Sequence, residues 1–108
     1  MGITKQSLCS AATTTGAKTA VQVKNQPKDS KKIVVAYGTT GSGSGSATVL
    51  VEGSLEGTHY VTLGTISLTL STTEAVGKLD IEYPYDYIRV NISAISGTGA
   101  NVTADLGY

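Results

Sequence analysis

The chain has 108 residues, enough for one domain with a single core and too few for two. Its formal net charge is zero, which removes any global electrostatic argument for nucleic-acid binding. Apolar residues make up 40% of the chain without a single Trp or Phe, so a core must be built from Val, Ile, Leu, Ala and some of the six Tyr, and partner subunits would help such a thin core.

Charge is unevenly spread. Residues 1–32 carry six lysines against Asp29, a net of +5, and residues 33–108 carry Lys78 and Arg89 against seven acids, a net of −5. A solvated strand surface explains this, and so does a dipolar subunit whose basic end meets an acidic neighbour. The single Cys9 excludes an internal disulfide, and no histidine or base pattern beside it suggests an activated thiol. No run approaches the roughly 18 apolar residues of a membrane helix, and the first residues lack the apolar stretch of a signal peptide. The expectation is a soluble product of the cytoplasm with no membrane partner.

In chain order, residues 1–16 are small and polar without periodicity and are expected as a flexible N-terminal arm, with a β-sandwich domain over 17–108. Residues 17–23 alternate Ala17, Thr19, Val21 and Val23 against Lys18, Ala20 and Gln22, a strand pattern, and Pro27 lies in the turn that follows. Residues 32–39 contain IVVAY, apolar on both faces, which predicts a central strand covered on two sides. GSGSGS at 41–46 is expected as a flexible hairpin tip. A strand follows it and no helix does, so it is not a phosphate-binding loop.

Residues 47–63, ATVLVEGSLEGTHYVTL, hold two strand-like runs around a Gly-containing loop, and TISLTLS at 65–71 buries Ile66, Leu68 and Leu70. Ser71 and Glu74 have capping-box spacing in a connection too short for a helix. Residues 78–83 bury Leu79, Ile81 and Tyr83 before Pro84. Residues 85–95, YDYIRVNISAI, place Ile88, Val90, Ile92 and Ala94 inward, and after a Gly97–Gly99 turn the closing strand buries Val102, Ala104 and Leu106. About eight strands with turn chemistry between them and no helix predict an all-β, single antiparallel β-sandwich, jelly-roll or immunoglobulin-like.

Few residues suggest chemistry. His59 is the only histidine and has no companion ligand, so no metal centre is expected. Asp80, Glu82 and Asp86 are read as a solvated strand face in preference to a calcium or glycosidase site. No GxSxG elbow or Ser-His-Asp spacing is present, and neither an enzyme nor a cofactor is expected. The most distinctive cluster is Tyr83, Tyr85 and Tyr87 with Pro84, three odd positions that alternation would project to one side. Such rings suit a subunit interface, and they also suit stacking against a glycan. Arg89, the only arginine, is available to Asp86, Glu82 or a partner's carboxylate.

VLVEGSLEGTHYVTLG, then TISLTLS, then YPYDYIRVNISAISGTGANVTADL resembles small virion proteins of tailed bacteriophages, above all head decoration or cement proteins and β-sandwich modules of fibres. The likeness spans roughly residues 33–108, with Glu56 where Asp is usual and Tyr60 where Trp is frequent. It implies a structural protein on the outer capsid surface, bound to the major capsid protein as a homotrimer and stabilising the shell. Lys5, Lys18 and Lys24 would contact an acidic capsid, and Tyr83, Tyr85, Tyr87 and Arg89 would serve capsid or subunit contacts. The YIRV phrase also resembles carbohydrate-binding jelly rolls, which implies the alternative of a glycan-binding fibre or adhesin module.

Overall fold

The protein is seen in a computed structural model that describes residues 5–23, 32–81 and 85–107. Nine strands run through these residues: β1 (Lys5–Ala12), β2 (Gly16–Ala17), β3 (Val21–Gln22), β4 (Lys32–Thr39), β5 (Ser42–Ser54), β6 (Val61–Leu70), β7 (Ala75–Ile81), β8 (Tyr87–Thr98) and β9 (Asn101–Gly107). They form two antiparallel sheets packed as a sandwich, with no helix among the described residues. One sheet has the order β1-β9-β4-β7 and the other β2-β8-β5-β6, with β3 also pairing β8.

The connectivity is that of a nested hairpin. β5 pairs with β6, β4 with β7, β3 and β2 with β8, and β1 with β9, so the chain's first half meets its second half in reverse order. Folding that ribbon over brings β4 onto β9 and β5 onto β8. The outcome is the jelly-roll order, which decides between the two sandwich topologies that the sequence leaves open.

Period-two patterning creates the core. Val34 and Ala36 on β4, Val49 and Val51 on β5, Ile66, Leu68 and Leu70 on β6, Ile88, Val90 and Ile92 on β8, and Val102, Ala104 and Leu106 on β9 all face the other sheet and are buried. Ala94 does not follow. Thr48 pairs with Ala94 and Val49 with Ile92, leaving Ser93 as an extra residue in β8. This bulge resets the alternation, so Ala94 is exposed and Ile95 packs against the core in its place.

Other expectations are also corrected. β4 is central in its sheet, but it is covered on one side: Val34 and Ala36 are buried, while Ile33, Val35 and Tyr37 on the opposite face are half-buried with no further layer over them among the described residues. GSGSGS is no loop tip: Ser42–Ser54 is one strand, and the short link before it crosses between sheets. The small residues are needed because a side chain at Gly45 would collide with the carbonyl oxygen of Ser96 on β8. The strand expected over 17–23 is reduced to two short pairings with β8, although Val21 and Val23 are buried as predicted. Tyr83 lies outside the described residues, and Leu79 is half-buried.

The expected N-terminal arm differs most. Lys5–Ala12 is an edge strand on β9, and Leu8 is 3% exposed in the core. Its weak periodicity has a physical cause, since two register shifts against β9 and a positive φ of 48° at Ala11 break the alternation that sequence patterning depends on. Lys32, the last lysine of the basic segment, is 4% exposed beside Ile81, and burial lowers its ammonium pKa while Asp86 pulls it back up.

Leu8→Ala is expected to cost about 2–4 kcal/mol, read as a lower urea midpoint, because it opens a cavity at the sandwich edge. An unchanged midpoint would show that β1 is dispensable to the sandwich.

Candidate functional site

Three of the candidate residues, Tyr85, Tyr87 and Arg89, lie at or beside one end of the second sheet. Glu52 on β5 stands directly across from Arg89 on β8, and Ser54 across from Tyr87. Since Val51 and Val90 point into the core, alternation places Glu52, Arg89, Ser54 and Tyr87 on the outer face. Nε of Arg89 donates to Oε1 of Glu52 at 2.7 Å, and the Arg89 guanidinium lies under the ring of Tyr60, 3.7 Å from its centroid.

Residues 55–60 form the loop that covers this pair. Ser54, itself buried, anchors it: its hydroxyl donates to Oε1 of Glu56 at 2.9 Å and accepts from the amides of Gly57 at 2.9 Å and Glu56 at 3.3 Å. The Glu56 carboxylate then gathers the far side of the loop, accepting from the His59 amide at 3.0 Å, with Nδ1 of His59 3.2 Å from Oε2. The His59 amide, then the Ser54 hydroxyl, then the His59 ring hold the Glu56 carboxyl down at about 2, against an ordinary 4.5. Gly57, with a φ of 90°, sits where any Cβ would press on the Tyr87 ring at 3.1 Å.

Of the seven candidate residues, the structure brings together Tyr85, Tyr87 and Arg89. The tyrosines do not share a face, because Tyr85 precedes the strand: it packs against the core beside Gly53 and Leu63, whereas Tyr87 lies on the outer face under Gly57. Lys5 is on β1 in the other sheet, with its Nζ 3.9 Å from Asp105. The Lys18 ammonium donates to the Thr14 carbonyl at 3.1 Å, and the Lys18 amide to the Val90 carbonyl at 2.9 Å. Lys24 and Tyr83 lie outside the described residues.

No ion pair joins Arg89 to Asp86, and Glu82, the other acid expected beside it, lies outside the described residues. The partner of Arg89 is Glu52, thirty-seven positions away, a choice that needs the register of β5 on β8. Glu52, Ser54 and Tyr60 are the residues that sequence reasoning passed over as site members, and their signal was the unusual phrase VEGSLEGTHY itself. What the arrangement does chemically is neutralise and cover its own polar groups. His59 lies in the loop before β6, with Glu56 beside it. Among the described residues no group of three His, Cys, Asp or Glu is placed to hold a metal ion. The Cys9 thiol is half-buried, with Sγ 3.7 Å from the Val102 carbonyl, and burial pushes its pKa up.

Comparison with protein-family models, with curated proteins and with solved structures gives no match.

Two outcomes follow from this geometry. Arg89→Met leaves the Glu52 carboxylate covered without its partner and is expected to cost about 2–4 kcal/mol in urea unfolding; adding Glu52→Gln should recover most of it, whereas a second full loss would mean that the pair is not coupled. The Glu56 interaction carries the opposite sign of pH dependence from a basic group. Because folding depresses its pKa from 4.5 to about 2, its contribution is complete above pH 4.5 and is lost as pH falls through 2. Amide exchange at Gly57 and His59 should quicken across that window, and Glu56→Gln should remove the pH response.

Proposed function

We propose that the protein is a structural component of a bacteriophage virion, a decoration protein that binds the outer surface of the capsid as a homo-oligomer and stabilises the shell. The observation that carries this reading is the jelly-roll order itself, an architecture built around stacked sheets and used for capsid and lectin domains. It joins a resemblance to head decoration proteins over residues 33–108. Fold by itself hosts many functions, so the site matters. Its polar groups are spent on one another: Arg89 on Glu52 and Tyr60, and Glu56 on Ser54 and His59. Such a site suits a rigid building block.

The partner is then the major capsid protein, and attachment is electrostatic in part. Lys5, with 76% of its side chain exposed, and Lys18 lie on the edge strands β1 and β2 or just beyond them, on the same flank of the sandwich. An acidic capsid surface would find both there, and weak contacts repeated over a shell add by avidity. With β1 part of the sandwich, the anchor is a strand edge in place of a free arm.

A glycan-binding module remains the alternative by resemblance, but stacking needs open aromatic faces, and Tyr85 and Tyr87 spend ring surface on Gly53, Leu63 and Gly57.

Co-sedimentation with empty shells tests the proposal. Wild-type protein should pellet with shells, and Lys5→Glu combined with Lys18→Glu should lower occupancy severalfold at physiological salt. A protein that ignores shells and is retained on a glycan array through Tyr87 would overturn it.

A further inference from the structure

Four strand edges close the two sheets, and three of them are blunted. β1 is broken by two register shifts, by the positive φ of Ala11 and by Lys5. The edge of the second sheet on that side consists of β2 and β3, each two residues long. β7 carries Lys78 and Asp80 on its outer face. Charges, bulges and short length are the devices that keep sheet edges from pairing with another chain.

β6 has almost none of them. It runs ten residues, VTLGTISLTL, without Lys, Arg, Asp, Glu or Pro, and its one irregularity lies near its start, where Leu63 is extra against β5. One side of β6 is bonded to β5, and no described strand pairs with the other. Thr65, Ser67 and Thr69 are exposed on its outer face, while Ile66, Leu68 and Leu70 line the core. The large apolar side chains exposed among the described residues all lie on this flank or just before it: Leu55 at 67%, Val61 at 51% and Val76 at 65%.

We propose that β6 is a self-association edge, pairing antiparallel with β6 of a second copy about a twofold axis to join the two β2-β8-β5-β6 sheets into one. The free edge offers a row of backbone donors and acceptors spaced to pair with another strand. A copy of β6 meets the electrostatic condition because an uncharged strand sets no like charges across from each other. It meets the packing condition as well. A twofold perpendicular to the sheet keeps inner face beside inner face, so Ile66, Leu68 and Leu70 of both copies stay on the core side and Thr and Ser pair on the other. Strict alternation then requires the axis to pass through a residue of β6 and not between two, because inward residues must oppose inward residues. The resemblance implies a trimer, but an isologous edge makes a dimer. This inference stands apart from the virion reading, since it concerns the purified chain alone.

Sedimentation over micromolar to millimolar concentration is the test. The full chain should pass from 11.0 kDa to twice that mass. Ser67→Lys, at an exposed position, should weaken the dimer by about tenfold or more by placing like charges near the axis, with the circular dichroism of the monomer unchanged. In the unaltered protein, amide exchange in β6 should slow as concentration rises, a readout that needs no variant. A monomer throughout, a trimer whose β6 amides exchange independently of concentration, or a dimer indifferent to Ser67→Lys would each overturn the proposal. Failure of shell binding would leave it standing.

Discussion

The pairing of β5 with β8 is the constraint on which the rest of the structure depends. It is the central pair of the second sheet, and it settles two faces at once. Val49 opposite Ile92 and Val51 opposite Val90 go to the core, so Glu52 opposite Arg89 and Ser54 opposite Tyr87 must go to the outer face. A slip of β5 by one residue would turn Glu52 and Ser54 inward and Val49 and Val51 outward, parting Glu52 from Arg89. The bulge at Ser93 confines that logic to the half of β8 near the loop. Beyond it, Ala94 turns out and Ile95 turns in, which lets β8 continue to the crossing turn at Gly97 and Gly99.

Because that register places an Arg–Glu pair on a sheet face, the pair needs a cover, and the β5–β6 connection supplies it. Tyr60 lies over Arg89, Gly57 fits against Tyr87, and the Ser54–Glu56–His59 hydrogen bonds hold the loop in the shape that brings them there. Cover strengthens the ion pair by lowering the local dielectric, and it makes each partner costly to lose. The phrase VEGSLEGTHY, with Arg89, is therefore a structural unit: a charged pair, its aromatic lid and the acid that sets the lid.

The two flanks of the sandwich differ in kind. On the flank of β1 and β2, short or bulged edges carry Lys5 and Lys18, polar groups suited to a charged partner. On the flank of β6 and β7, a long uncharged edge lies close to exposed Val61 and Val76, suited to a like surface. The proposed capsid attachment and the proposed self-association would therefore use opposite flanks of the sandwich.

The strand runs, the buried face of each and the all-β class were legible because period-two alternation is local: Ile66, Leu68 and Leu70, or Val102, Ala104 and Leu106, announce their face without reference to any other strand. The same locality explains the failures. Alternation is silent where a bulge changes its phase, as at Ser93 and in β1, and it misjudges Gly-Ser stretches, whose strand state comes from the close approach of Ser96. The candidate cluster was legible in composition but not in geometry. Tyr85, Tyr87 and Arg89 stood out as residue types, while the partner of Arg89, the different faces of the two tyrosines and the free edge of β6 follow from which strands lie side by side. By itself the sequence determined the all-β class and, wherever alternation runs unbroken, which face of a strand is apolar, since that is set by neighbours two positions apart. The tertiary structure alone decided the jelly-roll order, the Glu52–Arg89 pair and the unpaired edge, since each depends on register between segments tens of residues apart in the chain.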